Sequence, residues 1–262
     1  MPTSLDQILE TTRSGLHGLR ARHSEIEARA EASRLPLRFS ALRDSSRLGL
    51  IAEVKRRSPS AGLIAPALDP VAHATAYARA GAGAISVLTD GPFFGGSLAD
   101  LEAVTAQVPI PVLRKDFILD ELQIAEARAA GASAILLIVR ALRPDRLLEL
   151  AAAARRWELE ALVEVHDARE LAIALDSGAL VIGVNSRDLD TFRVDVGSAW
   201  PLLGRIPAEI LAIAESGMAT VEDARRAAEA GADAVLVGTA LSSAPDPSAL
   251  AAQLASLTRR GR

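Results

Sequence analysis

The sequence has 262 residues, a length that fits one large domain or two small ones. Half of the residues are hydrophobic and 24% are charged, so we expect a large core rather than a disordered chain. The formal net charge of −4 is mild and argues against broad electrostatic binding of nucleic acid, although a local basic pocket for a small anion stays possible.

Cysteine is absent, which excludes disulfides, thiolate zinc sites and cysteine nucleophiles. The first ten residues carry Asp6 and Glu10 and no apolar run, so they do not resemble a signal peptide. No stretch reaches the roughly 18 uncharged apolar residues of a membrane span. The four histidines do not pair at metal-ligand spacing, so no His-based metal site is expected. We therefore expect a cytoplasmic protein that does not bind a membrane.

One sequence pattern recurs along the chain. A helix end rich in small residues is followed by Gly-Ala and an apolar run at 80–88, 130–138 and 230–237, and more loosely at 177–184. Glycine ends a helix in a left-handed conformation at little steric cost. A continuous apolar run with β-branched residues is typical of a strand buried on both faces, as in parallel sheets. The repeat therefore predicts alternating strands and helices.

The chain can be divided into eight such units. Strands are predicted at 50–55, 84–89, 111–115, 134–139, 161–165, 180–185, 210–215 and 234–238. Helices are predicted at 70–80, 97–107, 120–130, 144–156, 167–176 and 220–230, with a short connection at 196–203 and a last helix at 246–257. Strict alternation of eight units favours a closed (β/α)8 barrel, the TIM-barrel fold, over an open doubly wound sheet.

Residues 1–47 precede the predicted barrel. We expect one amphipathic helix and a loop there, packed as a helical extension on the barrel of residues 48–262, so that 1–262 form one domain. The run 11–15 is polar and poorly suited to a helix.

Polar residues end several of the apolar runs, at the barrel end where active sites lie. They are Glu53 and Lys55 on the first strand, Lys115 on the third, Glu164 on the fifth, Asn185 on the sixth and Glu215 on the seventh. Buried charges are costly unless they are paired or used. Each alone could be a structural ion pair or a solvated side chain, but their convergence on one pocket indicates an enzyme.

Lys115 ends an apolar strand. A desolvated amine at that position could have a lowered pKa and serve as a general acid. The alternative is a solvated lysine at the start of a loop.

The last two strands carry a predicted phosphate site. Ser216 and Gly217 follow the seventh strand, and Gly238 and Thr239 follow the eighth. Loops at these two positions often bind phosphate in β/α barrels, because glycine lets backbone N–H groups approach the oxygens. The alternative is that the glycines serve only the turns.

Two predicted loops at the same end carry aromatic residues. Phe94 follows the second strand and Phe117 follows the third. They could form the wall of a pocket for an aromatic substrate, or they could pack on the barrel rim.

Several of these segments together resemble the indole-3-glycerol-phosphate synthase family. The resemblance covers roughly residues 48–242, and the segments that carry it are EVKRRSPS at 53–60, LTD at 88–90, FGGSL at 94–98, LRKDF at 113–117, LLI at 136–138, VEV at 163–165, NSRDL at 185–189 and AESG at 214–217. The Gly-Thr pair after the eighth strand is generic to phosphate-binding barrels. The family often has serine where this chain has Thr239.

The resemblance implies a carboxy-lyase of tryptophan biosynthesis that needs no metal or organic cofactor and acts as a monomer. It implies Lys115 as general acid, Glu164 as general base, Lys55 as a second acid or electrostatic partner, and Glu53, Asn185 and Glu215 as residues that orient these groups and the sugar. It further implies substrate contacts by Ser58, Phe94, Phe117, Leu136, Arg187, Ser216, Gly217, Gly238 and Thr239.

Two other functions fit parts of the sequence. Another phosphosugar isomerase or epimerase would share the phosphate loops, but it would not explain Glu53 and Lys55 together with the Lys-Asp-Phe segment at 115–117. A catalytically inactive phosphate-binding barrel should have lost some of the acids and bases that this chain retains.

Overall fold

The computed structural model describes residues 4–261, and its centre is a closed barrel of eight parallel strands. The strands are β1 (Gly49–Val54), β2 (Ala84–Leu88), β3 (Val112–Lys115), β4 (Ala134–Ile138), β5 (Glu160–Val165), β6 (Val181–Asn185), β7 (Leu211–Glu215) and β8 (Ala234–Val237). Each strand pairs with the next, and β8 pairs with β1 to close the barrel. The predicted closed barrel is confirmed, and each strand agrees with its prediction to within one residue at either end.

Side chains of each strand alternate between two apolar layers. On β4, Ile135 and Leu137 belong to the cluster between the barrel and its helices, whereas Leu136 and Ile138 belong to the cluster inside the barrel. This alternation follows from the two-residue period of a strand. Because both faces are buried, the strand sequences are continuously apolar, which explains why they could be recognised.

Twelve α-helices lie in the described part of the chain. They are α1 (Leu5–Arg20), α2 (His23–Ala32), α3 (Pro70–Arg79), α4 (Gly91–Phe94), α5 (Leu98–Thr105), α6 (Glu121–Ala129), α7 (Pro144–Arg156), α8 (Ala168–Asp176), α9 (Val196–Ala199), α10 (Val221–Glu229), α11 (Thr239–Ser243) and α12 (Pro247–Ala255). Short 3-10 helices occupy Phe39–Asp44, Val139–Ala141 and Trp200–Arg205. None of the helices in residues 4–261 has both the length and the apolar character that crossing a membrane requires.

Capping residues fix where the helices begin. The Asp120 side chain accepts a hydrogen bond from the backbone N–H of Leu122 at 3.0 Å, and the Gln123 side chain accepts the N–H of Asp120 at 3.0 Å. Such reciprocal caps satisfy N–H groups that lack partners within the helix. Several short elements had not been predicted, among them α4, α11, the 3-10 helix Val139–Ala141 and an antiparallel hairpin of Arg57–Ser58 with Gly62–Leu63 in the loop after β1.

The N-terminal segment differs from the prediction of one helix and a loop. It forms α1, α2 and the 3-10 helix Phe39–Asp44, and the polar run 11–15 lies within α1. Ser4 and Gln7 form a capping box that starts α1. Hydroxyls in the polar run bond back to the preceding turn, as Thr12 Oγ1 does to the carbonyl of Ile8 at 3.1 Å. The polar residues therefore occupy the solvent side of a helix whose apolar side is narrow.

The same segment extends from one end of the barrel to the other. Leu5, Ile8 and Leu9 of α1 belong to the buried cluster that includes Phe117 at the mouth. Phe39 belongs to that cluster too and is 0% exposed, and the backbone N–H of Ser40 donates to Glu160 at the opposite end of β5 at 2.9 Å. The 3-10 helix therefore closes the barrel end away from the cavity.

We expect Phe39→Ala to lower the free energy of unfolding by about 3–5 kcal/mol, because it opens a cavity in the closed end of the barrel. Leu37→Ala is the control, since Leu37 is 48% exposed and its loss should change stability by about 0.5 kcal/mol or less. Urea unfolding measures both. Equal effects of the two substitutions would show that the 3-10 helix does not contribute to the core.

Candidate active site

The carboxyl ends of the strands open into a cavity of about 780 Å³. All fifteen residues singled out from the sequence line it: Glu53, Lys55, Ser58, Phe94, Lys115, Phe117, Leu136, Glu164, Asn185, Arg187, Glu215, Ser216, Gly217, Gly238 and Thr239. Parallel strands in a barrel bring their carboxyl ends to one rim, so residues far apart in sequence meet there.

Glu53 and Lys55 form the first of two ion-paired groups. Lys55 Nζ lies 2.6 Å from Glu53 Oε1, and the two side chains are 15% and 4% exposed. The pair has this geometry because Lys55 directly follows β1, and residues two apart along an extended chain point to the same side. Pairing reduces the cost of burying each charge.

Lys115 is the centre of the second group. Its Nζ donates to Glu164 Oε2 and to Glu215 Oε2, each at 2.7 Å. The carboxylates come from β5 and β7, which lie two and four strands away from β3 around the barrel. Asn185 Nδ2 donates to the other oxygen of Glu164, Oε1, at 3.1 Å and so fixes the plane of that carboxylate. One ammonium therefore holds two buried carboxylates in place.

The pKa of Lys115 is raised, which contradicts the lowered pKa expected from the sequence. Burial lowers the pKa of Lys115, but the charges of Glu164, Glu215 and Glu53 outweigh it. The amine is therefore a charged ammonium, the form that a general acid needs.

The two carboxylates that share Lys115 titrate differently. Burial raises the pKa of Glu164, but the charges of Lys115 and His166 and the hydrogen bonds lower it further, so the net shift is downward. Burial also raises the pKa of Glu215, and the charge of Glu164 adds to the rise, so that the net shift is upward, to about 7, although Lys115 lowers it. Glu164 is thus the ionised partner, and Glu215 takes up a proton more readily.

Arg187 is a half-buried cation of the loop after β6. Its Nη1 donates to the carbonyl of Phe192 at 2.9 Å and to Ser60 Oγ at 3.3 Å, and its backbone N–H donates to Asn185 Oδ1 at 3.0 Å. No carboxylate within residues 4–261 lies at ion-pair distance from its guanidinium, and burial lowers its pKa. A partly desolvated guanidinium of this kind can bind an anion.

Two glycines make room for the carboxylates. A Cβ on Gly183 of β6 would overlap Glu215 Oε1, and a Cβ on Gly238 would overlap Glu53 Oε1 and lie 3.0 Å from Lys55 Nζ. Gly183 had not been singled out from the sequence. The signal that could have found it is a glycine inside an otherwise apolar strand, which often marks a close approach.

The aromatic residues of two loops meet at one side of the cavity. The rings of Phe94 and Phe117 lie 6.2 Å apart between centroids and are inclined at 40°. Phe94 is half-buried and Phe117 is buried, and both line the cavity. With Leu136 they give this side of the cavity an apolar wall.

The loops after β7 and β8 lie on another side of the cavity. Ser216 and Gly217 both have positive φ, at 62° and 81°. A left-handed backbone is unfavourable for serine, so the surrounding structure must hold Ser216 in this conformation. Gly238 and Thr239 adjoin them, with Thr239 beginning α11. All four residues line the cavity, and the two strands that they follow are neighbours in the barrel.

Lysine usage is a further signal that the sequence contained. Two of the 29 Lys and Arg residues are lysine, and these are Lys55 and Lys115. Arginine stays charged at every physiological pH, whereas lysine can transfer its proton. The chain therefore has its lysine side chains only in the cavity.

Gly183→Ala should displace the Glu215 carboxylate from Lys115. We expect turnover to fall about 100-fold, since a misplacement of about 1 Å is enough for that, and stability to fall by about 1–3 kcal/mol. Gly15→Ala in α1 is the control, because a Cβ there has nothing within 4 Å. Thermal unfolding and turnover check both. Wild-type turnover in Gly183→Ala would contradict the requirement for glycine.

Comparisons with known proteins bear on the whole chain. A family model described as indole-3-glycerol phosphate synthase matches residues 5–254. The protein of that name from Chlorobium phaeovibrioides is 46% identical to this chain over 241 residues, which cover 90% of this chain and 93% of the relative. The corresponding protein of Mycobacterium ulcerans is 47% identical over 254 residues, with coverage of 96% and 93%. That of Opitutus terrae is 47% identical over 262 residues, with coverage of 97% and 98%.

Solved structures show the same fold at low identity. A 3-hexulose-6-phosphate synthase superposes with a TM-score of 0.65 at 18% identity, covering 80% of this chain and 99% of that one. A thiamine phosphate pyrophosphorylase from Pyrococcus furiosus superposes with a TM-score of 0.58 at 19% identity, with coverage of 81% and 95%. These two likenesses support the barrel alone. The match of the family model and of the relatives over nearly the whole length shows that the chain belongs to the indole-3-glycerol phosphate synthase family.

Proposed function

We propose that the chain converts 1-(2-carboxyphenylamino)-1-deoxy-D-ribulose 5-phosphate into indole-3-glycerol phosphate, with release of carbon dioxide and water. The observation that carries the proposal is the Lys115 ammonium, held between Glu164 and Glu215 at 2.7 Å from each, at the rim of a cavity with an apolar wall. Membership of the family supports the same reaction.

Ring closure needs an acid. The aryl carbon that bears the carboxylate attacks the ketone carbon of the sugar, and the ketone oxygen gains negative charge. Lys115 donates a proton to that oxygen. The raised pKa of Lys115 keeps the amine charged until the oxygen becomes a strong base, so the proton is delivered as charge develops.

Formation of the indole needs a base and a second acid. Loss of carbon dioxide from the aryl carbon restores the aromatic ring. The hydroxyl formed from the ketone then leaves as water, and a proton is lost from the carbon next to the nitrogen. Glu164 accepts that proton, and Lys55 assists the departing hydroxyl. Glu53, at 2.6 Å from Lys55, keeps this second ammonium in position.

Asn185 and Glu215 complete this machinery. Asn185 orients Glu164 through the 3.1 Å hydrogen bond to Oε1. Glu215 Oε1 is buried without a hydrogen-bond partner among the described residues, while its Oε2 bonds to Lys115. An unpaired buried oxygen at the cavity is a site for a sugar hydroxyl.

Three parts of the substrate fit three parts of the cavity. Phe94, Phe117 and Leu136 hold the aryl ring against the apolar wall. Ser216, Gly217, Gly238 and Thr239 bind the phosphate through backbone N–H and hydroxyl groups. Arg187, which lacks a carboxylate partner in the described chain, and Ser58 contact an anionic group of the substrate.

The two other functions are less well supported. An isomerase or epimerase would have no use for a second lysine–carboxylate pair, and the family match disfavours it. An inactive barrel would have no reason to retain both lysines and all three carboxylates in the cavity. The monomeric state and the cytoplasmic location stay predictions, as does the single domain formed by the barrel and its N-terminal extension.

Product formation tests the proposal directly. The purified chain, without added metal, should form indole-3-glycerol phosphate, which its fluorescence reports. Lys115→Ala and Glu164→Ala should each lower turnover by about 100-fold or more, as expected for loss of a general acid or base. Glu209→Gln is the control, because Glu209 is exposed and precedes β7 at the opposite end of the barrel. Near-wild-type turnover in either alanine variant would refute its assigned role.

Arg187→Gln should weaken substrate binding. We expect KM to rise by about 10- to 100-fold, the loss of one hydrogen-bonded charge interaction, with a smaller change in kcat. Arg193→Gln in the same loop is the control, since Arg193 is exposed. Steady-state kinetics of both variants provides the measurement. An unchanged KM in Arg187→Gln would remove this residue from the binding site.

A further inference from the structure

His166 lies directly behind the cavity and was not among the predicted site residues. It follows β5, two residues after Glu164, and its side chain is 4% exposed. Its Nε2 lies 3.5 Å from Glu164 Oε1, the oxygen of Glu164 that also accepts from Asn185. His166 lies outside the cavity lining, so it acts on Glu164 and not on the substrate.

The opposite side of the imidazole is fixed by a second carboxylate. Glu170 Oε2 lies 3.0 Å from His166 Nδ1 and accepts the backbone N–H of His166 at 2.8 Å. Glu170 Oε1 accepts from Arg140 Nε at 2.8 Å, and Arg140 Nη1 donates to Asp188 at 3.0 Å. Because Glu170 is ionised and can only accept, Nδ1 must carry a hydrogen.

The position of Nε2 then decides the charge of the ring. In the neutral ring with its hydrogen on Nδ1, the lone pair of Nε2 would face the Glu164 carboxylate, which is repulsive. In the imidazolium, Nε2 carries a hydrogen and the contact becomes an attractive ion pair. A buried ring between two carboxylates therefore favours the charged form.

We propose that His166 is a positioning residue that carries a positive charge beside Glu164 and keeps this carboxylate ionised while Lys115 is without its proton. The inference rests on the proposed roles of Lys115 as acid and Glu164 as base. It adds a residue behind the site that those roles do not include.

The need for a second cation follows from the order of the proton transfers. Before reaction, Lys115 lies 2.7 Å from Glu164 and keeps it ionised. After Lys115 has given its proton to the ketone oxygen, Glu164 is a buried carboxylate without that cation, and burial favours its protonation before the substrate proton is released. Lys55 is already paired with Glu53 at 2.6 Å. His166 is the cation that stays next to Glu164.

The charged groups around His166 support this state. Burial lowers the pKa of His166, but Glu170 on α8 and Glu164 on β5 raise it by more than Arg140 lowers it, so the net shift is upward. Three further carboxylates, of Asp167, Asp188 and Asp190, lie 3.9, 3.0 and 3.9 Å from the Arg140 guanidinium and offset its positive charge. A raised pKa means that His166 keeps its charge to a higher pH than a free imidazole does and loses it as the pH rises through that pKa.

The test compares the pH dependence of kcat in the wild type, His166→Gln and His166→Asn. The glutamine amide reaches the position of Nε2 without a charge, and the asparagine amide keeps the Nδ1 contact with Glu170. In both variants the acid limb of kcat should move up by about 1–3 pH units, because Glu164 has lost a neighbouring cation. At pH values below the displaced limb kcat should fall about tenfold for each pH unit of the displacement, while KM should stay within about threefold because His166 does not touch the substrate.

The control is His23→Gln. His23 also pairs with a glutamate, Glu27 at 3.2 Å, but it is 59% exposed and belongs to α2. This variant should keep the wild-type kcat and the wild-type pH profile. Wild-type product formation is measured first, so a failure of the proposed reaction is seen before any variant is made.

Two results would overturn the inference. The first is that the wild type is active but both His166 variants keep its acid limb, or lose kcat by the same factor at every pH. A merely structural role of His166 would have that effect. The other comes from NMR titration of the wild-type imidazoles, with His166 assigned by its loss in His166→Gln. A His166 ring that titrates below the ordinary value of about 6.5 would be neutral when it is needed.

Discussion

One ammonium between two buried carboxylates is the interaction on which the site depends. Lys115 meets Glu164 and Glu215 at 2.7 Å each, at the open end of a barrel whose interior is packed with a cluster of apolar side chains. Carboxylates removed from water need a cation or a proton. Removal of the Lys115 amine would leave two buried carboxylates without a cation. The contact therefore constrains how β3, β5 and β7 are arranged. Asn185, Gly183 and His166 each orient or make room for one of the two carboxylates.

The two ends of the barrel serve different purposes. The end closed by Phe39 is packed with apolar side chains of the strands and of the 3-10 helix. The other end is open and carries the charged groups. The N-terminal segment joins the two ends, because Leu5, Ile8 and Leu9 share a buried cluster with Phe117 while Phe39 fills the closed end. Stability of the barrel and the shape of the apolar wall are therefore linked through residues before β1.

The strands and strand-end residues could be predicted because their signal is local. A charged residue such as Lys115 or Glu164 at the end of an apolar run can be recognised from its immediate neighbours in the sequence. The pKa of Lys115 was predicted with the wrong sign because its partners are 49 and 100 residues away in the chain. The roles of Gly183 and His166 depend on neighbours from other strands in the same way. The helix α1 was underestimated because its polar run, seen without its buried neighbours, carries no apolar signal.

The placement of the two lysines has a consequence for chemical labelling. Guanidinium groups do not react with reagents that acylate amines, so these reagents do not label the many arginines of this chain. Lys55 and Lys115 are the lysine side chains of the sequence, and both line the cavity. Acylation of lysine side chains would therefore occur only within the cavity. Labelling needs a pH at which an amine loses its proton, since the ammonium form does not react. Protection of an amine by a bound molecule under that condition would report occupancy of the cavity without any engineered probe.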